Sequence, residues 1–166
     1  MSDISRAVEL SLQLADVAIT DAAGKVNVIG MFVDVIGYNR EIGSTGRFTV
    51  IGEVLVPPEL CPAEITTEIV LLHADGRVVQ LPGLADQEQA VRIGMPQAVA
   101  KPSVVVDGHV IDGLWARCPI ILDFNNGLPL TPGTTYIWRL RVDGDDENAR
   151  NLTFAVPGLP ATPVLG

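Results

Sequence analysis

The sequence predicts an all-β fold, an antiparallel β-sandwich with extended terminal tails, on three observations. Hydrophobic residues make up 48% of the chain and aromatic ones only 5%. The apolar content therefore rests on Val, Ile, Leu and Ala, and β-branched side chains suit a pleated surface better than a helix. These residues come in short runs, punctuated by Asn, Asp and the 16 glycines and 12 prolines at near-regular intervals, as in a sandwich or barrel. No segment sustains a helical period. A length of 166 residues suits one domain, which divides into a sandwich at 1–156 and a proline-rich arm at 157–166.

The first strand is expected over Glu9–Thr20, where Leu10, Leu12 and Leu14 share a face because side chains alternate. Asp21-Ala-Ala-Gly24 is a turn, with Gly24 free to take positive φ. A second strand is expected over 25–38, with its alternation broken by a bulge or bend at Gly30-Met31. Residues 39–46 form a polar loop. Phe48, Val50, Gly52, Val54 and Val56 then line one side of a strand that Pro57-Pro58 ends, since proline donates nothing to a ladder.

Ala74-Asp75-Gly76 between apolar runs predicts a hairpin pairing 65–73 with 77–81. Residues 84–89 allow one helical turn, and Met95-Pro96 and Lys101-Pro102 mark an irregular crossing. Asp107-Gly108 and Asp112-Gly113 bracket Val110-Ile111 and predict short strands joined by tight turns. Over 114–124, Leu114, Ala116, Cys118, Ile120 and Leu122 share one face and Trp115, Arg117 and Asp123 the other; Pro119 makes this an edge or bulged strand. The final hairpin runs over 134–143 and 152–156, with Tyr136, Trp138, Leu140 and Val142 on one face.

The formal charge of −9, with 11 basic residues scattered singly, excludes a nucleic-acid partner, because phosphate contacts need clustered Lys and Arg. No apolar stretch is long enough to span a bilayer, so no membrane partner is expected. The N-terminal Met-Ser-Asp-Ile-Ser-Arg lacks the pattern of a secretory signal. Synthesis in a cytoplasm, with possible incorporation into a virion, is the expectation.

Little in the chain points to catalysis. A nucleophile needs a positioned base, and the two histidines, His73 and His109, both sit beside turns. Cys61 and Cys118 each stand alone beside a proline, in no disulfide or zinc spacing. Phosphate-binding glycine loops are missing. Residues 143–148, Asp-Gly-Asp-Asp-Glu-Asn, gather four carboxylates and an amide, the oxygen donors a hard cation prefers. The EF-hand spacing fails there, and an acidic hairpin tip is the plainer reading. No enzyme activity, cofactor or metal is expected. Trp138 shares its face with core residues, whereas Trp115 shares its face with Arg117 and points outward as a candidate contact. The arm at 157–166 holds three prolines, no charge, and the apolar Leu159, Val164 and Leu165, which suit burial against a neighbour.

Two stretches carry a resemblance. Residues 14–18 and 21–30, Leu-Ala-Asp-Val-Ala and Asp-Ala-Ala-Gly-Lys-Val-Asn-Val-Ile-Gly, resemble a family of small uncharacterised all-β proteins of actinobacteria, other bacteria and their phages. Residues 130–144, Leu-Thr-Pro-Gly-Thr-Thr-Tyr-Ile-Trp-Arg-Leu-Arg-Val-Asp-Gly, are similar to that family's end and to the last hairpin of immunoglobulin-like and fibronectin-like sandwiches. The resemblance implies a sandwich and transfers no catalytic residue. At Pro132-Gly-Thr-Thr-Tyr136 the tyrosine hydroxyl is placed to tie back to the loop before it. The expected function is a non-catalytic structural protein, of the kind that decorates a phage capsid, acting through contacts with itself or another virion protein. The alternative is a soluble module that binds a peptide, a sugar or calcium at residues 39–46 or 143–148.

Overall fold

The computed structural model describes residues 3–82 and 87–158. A short helix, α1 (Asp3–Ala7), precedes fourteen strands: β1 (Glu9–Thr20), β2 (Val26–Met31), β3 (Tyr38–Asn39), β4 (Ser44–Thr45), β5 (Phe48–Val56), β6 (Ala63–His73), β7 (Gln80–Pro82), β8 (Glu88–Ala90), β9 (Arg92–Val99), β10 (Val104–Val106), β11 (His109–Ile111), β12 (Ala116–Phe124), β13 (Thr134–Val142) and β14 (Arg150–Val156). Two antiparallel four-stranded sheets hold the fold, in the orders β12-β5-β1-β2 and β14-β13-β6-β9.

Alternation builds the core. Phe48, Val50, Val54 and Val56 of β5 are buried, as are Leu12 and Leu14 of β1; they meet Ile69, Leu71, Trp138 and Leu140 of the other sheet. Gly52 belongs to the inward row of β5, and a Cβ there would lie 3.4 Å from Leu140 Cδ2, so Leu140 of the other sheet packs over the position where that side chain is missing. Aromatic rings close one region: Phe124 stacks between Phe48 and Trp138, at centroid distances of 4.9 and 5.4 Å.

Most turn chemistry follows the sequence. Gly24 takes φ +77°, and the Asp21 carboxylate accepts from the N–H groups of Ala23 and Lys25. Tyr136 Oη accepts from the Thr131 N–H at 2.9 Å, closing the corner before β13. Pro119 sits on the outermost strand of its sheet, where one missing donor is harmless.

Four expectations change. The second strand ends at Met31 rather than near residue 38; the break expected at Gly30-Met31 appears as a bend, with Gly30 at φ +66° and Phe32 at φ +64°, while the pairing with β1 keeps one register on both sides of Gly30. Of the helical turn expected over 84–89, residues 88 and 89 instead belong to β8, and residues 84–86 lie outside those described. Met95-Pro96 belongs to β9, not to an irregular crossing. Pro96 stands opposite Thr66 on a sheet edge and so costs no ladder bond on its outer side. The hairpin at Asp75-Gly76 forms, with Val79 N donating to Leu71 O, but its return strand is interrupted. After Val79 the chain leaves as the β7–β8 hairpin, comes back through Val91, and resumes along β6 as β9.

Candidate interaction surface

The outward residue picked from the sequence, Trp115, is 39% exposed just before β12. Arg117 also points outward, and its guanidinium pairs with Glu53 on the neighbouring strand. Leu159, Val164 and Leu165 lie outside the described residues.

The structure joins Trp115 to a feature whose exposure was not foreseen. The tight turn at Asp107-Gly108, with φ +51° and +79°, closes β10 and β11 into a two-stranded ribbon that pairs with no other strand among the described residues. Val105 and Val110 face each other on one side, while Val104 and Val106 with Ile111 lie on the other. All five are exposed, Val105 at 59% and Val110 at 61%, and the exposed Leu114 and Trp115 follow in the chain after Asp112-Gly113. A lone hairpin is marginal in water, and neither face of this one is covered. Three consecutive valines read as a buried strand by composition. Only their isolation between Pro102 and two Asp-Gly turns hinted otherwise.

A second apolar area borders β2. Pairing places Met31, Ile29 and Ile19 on the face opposite the core side of Leu14, and they are 43%, 64% and 58% exposed. Phe32 follows at 72% exposure, held in a left-handed conformation that bulky residues seldom adopt.

The polar loops divide into a depression and a staple. Residues 39–46, expected as a loop, include the small β3–β4 hairpin, and with Arg47, Asn125 and Asn126 they line a shallow depression. Its wall is fixed by reciprocal bonds: Thr45 N donates to Leu128 O, and Leu128 N donates to Thr45 Oγ1. Gly127, at φ +65°, lies so close that a Cβ would sit 2.0 Å from Thr45 O.

The carboxylates at 143–148 diverge to structural partners. Asp143 accepts from Thr66 N, Asp146 pairs with Arg141 and Arg139, and buried Asp145 accepts from Ser5 Oγ and Glu147 N. These bonds, led by that from Ser5, hold the Asp145 carboxyl below the ordinary aspartate range. Asn148 donates to the carbonyls of Ser5 and Val8, so the loop fastens α1 to the sandwich. No group of three or more metal-ligating side chains occurs among the described residues.

His73 packs against the Tyr136 ring, and His109 is exposed on the ribbon. Cys61 and Cys118 are free, and burial pushes the Cys118 thiol up. No helix among the described residues is long and apolar enough to cross a membrane. No protein-family model matches the chain, and comparisons with curated proteins and with solved structures find no match.

Proposed function

We propose that the chain is a non-catalytic structural protein that works by docking onto other proteins, in the manner of a capsid-decorating accessory of a phage particle. One observation carries this reading: the β10–β11 ribbon is apolar and exposed on both faces, and the exposed Leu114 and Trp115 follow it in the chain. Exposed apolar patches of this kind, anchored by an aromatic residue, mark contact sites. The likeness of residues 14–30 and 130–144 to a family found in bacteria and their phages supports the phage setting. Mass spectrometry of particles released from cells carrying the gene tests it. The chain is expected in fixed ratio to the major shell protein, and its absence from purified particles overturns the proposal.

A second reading, a soluble binding module, draws on the depression at residues 39–47. Asn39, Asn125, Asn126 and Arg47 converge there, a donor-rich lining suited to a polar ligand such as a sugar or a peptide carboxylate. Its shallow, open form favours the docking reading.

A further inference from the structure

The depression beside the β3–β4 hairpin combines a fixed wall with uncommitted side chains. Ser44 Oγ donates to Asn126 O, Thr45 and Leu128 exchange their reciprocal bonds, and Gly46 N donates to Gly37 O. These bonds hold the backbone of both loops without using the longer side chains that line the depression. Asn39 Oδ1 accepts from Glu41 N, which leaves its Nδ2 group to donate elsewhere. The side chains of Asn125, Asn126 and Arg47 are exposed and make no hydrogen bond or ion pair among the described residues.

Charge sets this lining apart from the rest of the chain. Acidic residues number 20 against 11 basic ones, yet no carboxylate lines the depression and Arg47 does. The nearest acids in sequence are occupied or turned elsewhere. Glu41 lines an adjoining depression, and Asp123 accepts from Thr49 Oγ1 at 2.6 Å.

From this we infer that the depression binds a carboxylate, held by the Arg47 guanidinium and by the amide donors of Asn39, Asn125 and Asn126. The planar guanidinium can give a carboxylate two parallel bonds, and side-chain amides can donate to the outer lone pairs of the same oxygens. One cation matches one negative charge, whereas it would neutralise only part of a phosphate dianion. The shallow form suits an end group rather than an enclosed molecule. Ile42, 63% exposed in the same lining, adds an aliphatic contact. The end of a peptide chain supplies both a carboxylate and an apolar side chain, and a sugar acid supplies only the first. The inference rests on the binding-module reading of this depression and names its ligand class; no residue of the ribbon takes part.

Amide NMR shifts of the isotope-labelled full chain, titrated with small probes, test it. Millimolar N-acetyl-leucine is expected to move the signals of residues 44–47 and 125–127. N-acetyl-leucinamide, which keeps the apolar group and lacks the charge, should leave them in place, and inorganic phosphate should bind at least about tenfold more weakly. Arg47→Gln should weaken N-acetyl-leucine binding at least about tenfold yet melt like wild type, since the side chain is exposed and unbonded. Tighter binding of glucuronate than of N-acetyl-leucine would keep the carboxylate and make a sugar acid its source. A response to N-acetyl-leucinamide or glucose that survives Arg47→Gln would overturn the carboxylate while leaving a binding module, and phosphate binding as tight as that of N-acetyl-leucine would overturn it too. No response to any probe would overturn both the carboxylate and the reading beneath it.

Discussion

Ser5 Oγ donates to Asp145 Oδ2 at 2.8 Å across 140 residues of sequence, and both residues are buried. This bond anchors α1 to the β13–β14 loop. Ser5→Ala should therefore lower the melting temperature by a few degrees. The pH dependence has a definite sign. Because the folded carboxyl titrates below its unfolded value, its stabilisation is complete above about pH 4 and is lost as pH falls through the folded value. Asp145→Asn should flatten the acid limb of denaturant stability below about pH 4. A variant with the wild-type acid slope would refute this role.

Trp138 is fully buried, and its Nε1–H has no hydrogen-bond partner among the described residues. Packing holds it, including the stack on Phe124. Trp138→Ala should cost about 3–5 kcal/mol by leaving a cavity, whereas Trp138→Phe should cost less than about 2 kcal/mol because it removes an unsatisfied donor along with volume. Trp115→Ala should change the stability of the isolated protein by no more than about 0.5 kcal/mol. Chemical unfolding of the three variants decides the matter, and equal losses at 138 and 115 would reverse the inward and outward assignment.

Two glycines separate strain from collision. Gly24→Ala, at φ +77° with open space around it, should cost about 1 kcal/mol. Gly127→Ala adds a clash with Thr45 O to a similar strain and should cost at least about 2 kcal/mol. Matching melting curves for the two variants would contradict the close approach of the Gly127 loop to Thr45.

Much of the sandwich was legible because alternation is local. Leu12 and Leu14 in β1, the four apolar residues of β5, and Tyr136, Trp138, Leu140 and Val142 in β13 all declare their buried side through neighbours two residues away. What escaped depends on where a strand lies in its sheet. Pro96 looks like a breaker until β9 proves to be an edge, and Val79 looks like mid-strand until the β7–β8 excursion interrupts the return to β6. The three valines of β10 resemble core residues, since composition carries no information about whether anything packs against them. Trp115 reads as outward from its parity with Arg117 and is 39% exposed, whereas nothing local in the sequence tells that the ribbon before it pairs with no further strand among the described residues.

The Tyr136 hydroxyl bond to Thr131 N offers an independent check on the corner that opens the last hairpin. Tyr136→Phe leaves the ring in its stack with Phe154 and deletes only the acceptor. A loss of about 1–2 kcal/mol in urea unfolding is expected, and no loss would mean the corner is held by packing alone.

The central claim is that the ribbon carries the protein's attachment, and one variant tests it most directly. Val105 and Val110 are cross-strand partners, so Val105→Lys combined with Val110→Glu keeps a favourable pair on the ribbon while replacing its apolar face. The variant should melt as wild type does. Its copy number on purified particles, measured against the major shell protein, should fall at least about tenfold. Full retention of a folded variant on those particles would contradict the account.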